Sequence, residues 1–195
     1  MASSDLTSHV WQYTPSQWHC STQQYLRMIE TGVLGPADRV ELIDGVITPM
    51  SPSGPAHTNA VMQLNELFSP LIGRMKLLVQ GTVNLGDGQI FDPDFALLRI
   101  RNEGYAQRHA EPADILLIIE VADTSLQKDR QVKQRVYARS GIADYWIADL
   151  DRKAMIVHRE PEGEAYNRIE TSHVGQTVTP LAAPDLSLPV QQVFA

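Results

Sequence analysis

The chain has a single cysteine, and it lacks a long apolar run and an excess of positive charge. Cys20 is the only cysteine among 195 residues, which excludes an internal disulfide and a cysteine-rich zinc site. No apolar run approaches the roughly 20 residues that a membrane span requires, so no membrane association is expected. The first residues, MASSDLTSHVWQYT, have no basic start followed by an apolar block. We therefore expect no secretory signal and a cytoplasmic location.

The formal net charge of -7 is unfavourable for a protein that would bind a polyanion unaided. Nucleic acid is not excluded, because a basic patch or a bound divalent cation can reverse the local field.

Several familiar sequence motifs of catalytic and binding sites are missing. The GDG turn at 86–88 has no following Lys-Ser/Thr and is no phosphate-binding loop, and no serine-centred nucleophile elbow occurs. Most of the histidines are scattered without the spacing of a metal site.

Alternating helix and strand patterns fill residues 21–195 and predict one α/β (α+β) domain, preceded by an N-terminal extension at 1–20. The predicted elements, in chain order, are a helix after the capping-box pair Ser21 and Gln24, a hairpin turning at Asp44-Gly45, an amphipathic helix within 57–73, a second hairpin across 76–100, a strand at 115–122, a helix of about four turns ended by Gly141, a hairpin around Asp151 and a strand near 166–174. The Pro-rich tail, about 180–195, is predicted to be irregular with a final turn that packs Val193 and Phe194.

A carboxylate interrupts the most apolar stretch of the chain, DILLIIEVADTS. Five apolar residues at 115–119 precede Glu120, which is typical of a strand covered on both faces. A carboxylate in such a strand loses its hydration and requires a cation or hydrogen-bond donors. A structural salt bridge to an arginine is the alternative to a functional role.

Strand alternation relates Glu120 to a second acid in FDPDFALL. Asp94 shares a strand face with Ala96, and Glu120 shares one with Ile118. If the two strands are neighbours, the two carboxylates lie side by side and repel unless a cation or a shared proton lies between them. Oxygen ligands favour magnesium or manganese. Because Asp94 follows Pro93, an ordinary turn role is its alternative.

Three more residues are candidates. Glu41 lies among apolar neighbours and faces inward, or else lies on an exposed edge. Lys133 is at the rim of a helix's buried face, or else is a surface partner of Asp129. His57, at a helix start, caps or packs, and it is also a possible phosphate contact. Two acids and a lysine around a metal form a pattern typical of phosphoryl transfer.

The succession VELIDGVITPMSPSGPAH, DPDFALL and LLIIEVADTSLQKDRQVKQRVYARSGIADYWIADL resembles the Uma-type putative restriction endonuclease family of the PD-(D/E)XK nuclease superfamily. The resemblance covers the chain from Thr22 to the tail. It implies a restriction-endonuclease-like core, a mixed central β-sheet flanked by helices, with a metal site where two strands fork. It also implies DNA as substrate and pairing into homodimers, to which we expect the exposed segment 102–112 to contribute.

The resemblance also implies roles for individual residues. Asp94 corresponds to the motif aspartate and Glu120 to the second acid, and Val121 would offer its backbone carbonyl to the metal. Glu41 matches an upstream glutamate that joins such sites. Ala122 departs from the pattern, because it stands where the superfamily has its lysine.

Two hypotheses follow. In the first, Asp94 and Glu120 bind Mg²⁺ or Mn²⁺, an activated water attacks phosphorus, and Lys133 from the next helix stabilises the transition state of DNA hydrolysis. In the second, the protein is a nuclease-fold binding or assembly module that is weak or inactive in catalysis, which the acidic balance and Ala122 favour. A Lys133 ammonium that points into the cleft of the two acids would support the first.

Overall fold

The computed structural model of the protein describes residues 17–122 and 129–195, with the backbone alone at 129 and 130. Its helices are α1 (Thr22–Glu30), α2 (Pro55–Phe68), α3 (Gln134–Arg139) and α4 (Val190–Val193), and a π-helical turn at Asp129–Lys133 leads into α3. Short 3₁₀ turns lie at Ser69–Leu71 and Pro112–Asp114. Residues 1–16 of the predicted extension at 1–20 lie outside the described residues. The predicted helix start at 126–128 also lies outside them.

Twelve strands lie in the described residues. They are β1 (Val40–Ile43), β2 (Val46–Pro49), β3 (Lys76–Val79), β4 (Val83–Gly86), β5 (Gln89–Phe91), β6 (Phe95–Leu98), β7 (Ile115–Ala122), β8 (Asp144–Asp149), β9 (Ala154–Glu162), β10 (Ala165–His173), β11 (Thr177–Val178) and β12 (Leu188–Pro189). The central sheet has the order β10-β9-β8-β7-β6-β3, and a second sheet has the order β2-β1-β5-β4. In the central sheet β7 and β8 run parallel and the other neighbours run antiparallel. The sheet is therefore mixed and flanked by helices, as predicted.

Alternate residues of the central strands pack into different cores. Phe95 and Ile119 belong to the core formed with α2, whereas Ala96 and Ile118 belong to the core formed with α3. The ladder pairs Phe95 with Ile119 and Ala96 with Ile118, which keeps each face consistent across the two strands. Both faces of β7 are thus covered, as its continuous apolar run predicts.

Local signals predicted several element ends correctly. Ser21 and Gln24 form a reciprocal capping box at the start of α1. Asp44 and Gly45 have φ angles of 49° and 76°, the left-handed conformation that a tight hairpin turn requires. Gly141, with a φ of 75°, follows the end of α3. These signals act over a few residues and do not depend on distant packing.

The predicted second hairpin across 76–100 has the expected antiparallel pairing around the GDG turn, but it is divided between two sheets. Strand β3 pairs with β6 in the central sheet, whereas β4 and β5 form a hairpin within the second sheet. The chain leaves the central sheet after β3, where Gln80 has a φ of 47° and donates its backbone N–H to the Asp94 carbonyl at 3.1 Å. It returns at Asp94, which directly precedes β6. The nesting of one hairpin inside another strand pair therefore brings Asp94 to the junction of the two sheets.

The tail combines irregular backbone with two-residue strands and α4, and it buries Val193 while Phe194 packs partly against the same core. In the part of the chain that the structure describes, no helix is long and apolar enough to cross a membrane.

Candidate functional site

Asp94 and Glu120 come from neighbouring strands at the same level of the central sheet. Strand β6 begins at Phe95, which pairs with Ile119 of β7. Asp94 directly precedes Phe95 and Glu120 directly follows Ile119, so in an antiparallel pair both lie at the same end of this contact. Asp94 Oδ2 accepts a hydrogen bond from the backbone N–H of Val121 at 2.8 Å. The Asp94 carboxylate therefore lies against the main chain of β7 next to Glu120.

The buried charge of Glu120 is compensated by side chains from the helical segment after β7. Glu120 is 3% exposed, and its Oε1 lies 2.9 Å from the Lys133 ammonium. Tyr137 donates its hydroxyl to the same oxygen at 2.6 Å. Among the described side chains, Lys133 is thus a cation that compensates Glu120. Lys133 is only 6% exposed, so the alternative of a surface-exposed lysine is wrong.

Glu41 brings a second buried carboxylate to Lys133. It is 2% exposed, so the alternative that placed it on an exposed edge is also wrong. Its Oε1 lies 3.1 Å from Lys133 Nζ and accepts the backbone N–H of Asp92 at 3.2 Å. The Lys133 ammonium therefore lies between a carboxylate of the second sheet and one of the central sheet, and it points into the site.

His57 contacts Asp94. It lies in the first turn of α2, and its Nε2 is 3.0 Å from Asp94 Oδ2, with both side chains mostly buried. Sequence reasoning placed His57 at a helix start but did not identify a carboxylate partner for it. Within the described residues, the side-chain hydrogen bonds of Asp94 involve Oδ2, and Oδ1 accepts none.

Tyr137 is a site residue that sequence reasoning missed. It follows Lys133 by four residues, so both side chains project from one face of the helical segment towards Glu120. This spacing is the signal that would have found it. Burial first, and then the nearby charges of Glu120 and Glu41, raise the pKa of Tyr137 well above its ordinary value.

The charge and the donor types of the site fit a divalent cation. Asp94, Glu120 and Glu41 contribute -3 and Lys133 contributes +1, a formal sum of -2 among the described side chains. Carboxylate oxygens and a backbone carbonyl are hard ligands of the kind that Mg²⁺ and Mn²⁺ prefer. No group of three His, Cys, Asp or Glu residues within 17–122 and 129–195 is arranged to hold a metal ion by itself. Mg²⁺ is commonly held by one or two carboxylates together with waters and substrate phosphates, which is compatible with this arrangement.

The chain thus combines a mixed central sheet flanked by helices with buried acids and a lysine beside it, and its fold is that of a nuclease. The model of the Uma2 family, described as "Putative restriction endonuclease", matches residues 22–191, and the chain belongs to this family. The crystal structure of a putative nuclease belonging to DUF820 from Anabaena variabilis ATCC 29413 is similar, with a TM-score of 0.71 and 15% sequence identity. The alignment covers 89% of this chain and 97% of that one, and the likeness shows the fold. No curated protein sequence matches the chain significantly.

Proposed function

We propose that the protein is a divalent-metal-dependent endonuclease that hydrolyses phosphodiester bonds of DNA. The observation that carries the proposal is the cluster of Glu41, Glu120 and Lys133, each at most 6% exposed, beside Asp94. Burying so many charges is a poor way to stabilise a fold, because desolvation offsets most of their attraction. Such clusters are typical of functional sites, and membership of a restriction endonuclease family supports the same interpretation.

Asp94, Glu120 and the backbone carbonyl of Val121 are the groups that would hold Mg²⁺ or Mn²⁺. When bound, such an ion polarises a phosphate oxygen and lowers the pKa of a coordinated water towards neutrality. A net negative chain repels the phosphates of DNA, and a bound dication would remove this repulsion locally. It would bring the formal charge of the site from -2 to 0 and allow a phosphate to approach.

The side chains of the site would have separate tasks. Lys133 supplies a positive charge close to Glu120, suited to stabilising the negative charge that develops on phosphorus. Glu41 holds this ammonium from the opposite side, so that it stays in place when Glu120 engages another cation. His57 and the Val121 N–H orient the Asp94 carboxylate by bonding one of its oxygens. Lys133 also ends a π-helical turn, a local geometry that is frequent at functional sites.

The second candidate is a nuclease-fold binding or assembly module without turnover. It is favoured by Ala122, which leaves β7 without the usual lysine, and by the engagement of Lys133 with two carboxylates. A lysine held this tightly can serve stability alone. The two candidates predict different outcomes in one assay.

The test is nicking of supercoiled plasmid DNA in the presence of Mg²⁺ or Mn²⁺. We expect cleavage that EDTA abolishes and that Asp94→Asn and Glu120→Gln each reduce by about 10²-fold or more. Glu66→Gln, on the exposed face of α2, is the matched control and should cleave like the wild type. Circular dichroism verifies that each variant is folded. Folded wild-type protein that cleaves neither DNA nor RNA with any divalent ion would contradict the nuclease proposal and favour the binding module.

A further inference from the structure

One edge of the central sheet is a long exposed strand. Strand β10 spans nine residues, Ala165–His173, whereas an average strand has about five or six. It ends the sheet order, and no strand within residues 17–122 and 129–195 pairs with its outer side. The opposite edge, β3, has four residues and begins with a lysine, a common protection against edge pairing.

Strand β10 has few of the features that block edge pairing. It contains no proline, and its pairing with β9 keeps a single register along its length. Most of its residues are exposed, and Ile169, at the middle of the strand, is 51% exposed. A long edge with an exposed β-branched residue at its centre is suited to receive another strand.

We propose that two copies of the chain pair antiparallel through β10 about a two-fold axis at Ile169, which makes one continuous sheet across both copies. In this register Arg168 of each copy faces Glu170 of the other, and the symmetry forms this pair twice. Ile169 meets its own counterpart at the axis. Opposite charges directly across an antiparallel pair are stabilising, so the strand is complementary to itself.

The neighbouring symmetric registers are disfavoured. An axis at Arg168 places two guanidinium groups opposite each other, and an axis at Glu170 does the same for two carboxylates. A two-fold axis that passes between two successive residues would place those two residues opposite each other. The N–H and C=O groups of successive residues point to opposite sides of a strand, so only one of the two could hydrogen-bond across the interface. Ile169 is therefore the centre that satisfies both the charges and the hydrogen bonds.

Arg168 and Glu170 already pair within one copy, with an Arg168 nitrogen 2.8 Å from Glu170 Oε1 and both side chains about half exposed. Strand alternation places both on the same face of the sheet. An isolated exposed pair of this kind contributes little stability, whereas several charges in a network contribute more. Pairing of two copies would convert two isolated pairs into a network of two arginines and two glutamates.

The proposed interface lies apart from the candidate site. Strand β7, which carries Glu120, is three strands in from β10, or roughly 14 Å at about 4.8 Å per strand. Substitutions on β10 therefore do not contact the charge cluster of the site. The pairing proposal can fail or succeed independently of the proposed nuclease activity.

The first test is sedimentation of the full chain over a concentration series from about 1 to 200 µM, since an edge contact smaller than a standard interface predicts weak association. We expect a monomer–dimer equilibrium for the wild type. Arg168→Glu and Glu170→Arg should each weaken association by about tenfold or more, because each puts like charges across the axis. The double variant Arg168→Glu/Glu170→Arg exchanges the charges and should restore association to within about threefold of the wild type.

Two further variants complete the design. Ile169→Lys places two ammonium groups at the axis and should abolish the dimer, and Lys153→Glu, an exposed charge reversal in the turn before β9, should leave it unchanged. Circular dichroism of each variant verifies the fold. A wild-type monomer at every concentration would overturn the proposal. So would a dimer that withstands both single charge reversals, or a double variant that fails to recover.

Discussion

Lys133 is the shared cation of two buried carboxylates, and replacing it with methionine leaves both without it. Methionine keeps a chain of similar length and removes the charge. At the observed distances of 2.9 Å to Glu120 and 3.1 Å to Glu41, the gross attraction is about 5 kcal/mol per pair at an effective dielectric constant of about 20. Desolvation of the three groups offsets much of this attraction. Removing one partner of a buried pair is therefore expected to destabilise the fold by about 3–5 kcal/mol.

The measurement is urea unfolding followed by far-UV circular dichroism at pH 8, with the free energy of unfolding extrapolated to water. Lys76→Met, an exposed lysine on β3, is the control and should change the free energy by less than about 0.5 kcal/mol. A loss below about 1 kcal/mol for Lys133→Met would show that the ammonium does not stabilise the buried acids.

Two more substitutions test the site and a turn. Tyr137→Phe removes the 2.6 Å hydrogen bond to Glu120 and should cost about 1–3 kcal/mol at pH 8. Because the pKa of Tyr137 is raised in the folded state, the stability that its hydroxyl contributes is complete below about pH 10 and is lost at higher pH. Between pH 8 and pH 10.5 the free energy of unfolding should therefore fall more for the wild type than for Tyr137→Phe. Equal falls would contradict this. Gly45→Ala should cost about 1–3 kcal/mol in the same assay, because its φ is 76° and the added carbon would lie 2.9 Å from a side-chain carbon. The control is Gly163→Ala, because φ is 58° at Gly163 and an added carbon would have no neighbour within 4 Å. It should cost less stability than Gly45→Ala. Equal losses in the two variants would exclude the close contact at Gly45 as the cause.

Features set by short-range physics could be predicted from the sequence. The capping box at Ser21 and the turn at Asp44-Gly45 depend on residues next to one another, and both are as predicted. The apolar run before Glu120 required a strand covered on both faces. Period-two alternation then related Asp94 to Glu120 on the condition that their strands are neighbours, and β6 and β7 are neighbours. The main elements of the site followed from this geometry and from the family resemblance.

Tertiary structure alone decided which distant groups meet. The sequence predicted the antiparallel hairpin across 76–100 but not its division between two sheets. The contact of His57 with Asp94 requires α2 to pack on the central sheet, and the contact of Glu41 with Lys133 requires the second sheet to pack against the helical segment before α3. Short-range patterns reflect the local backbone, whereas these contacts depend on how separate elements close a common core. The sequence thus determined which residues are charged within apolar strands, and packing determined which of them share a cation.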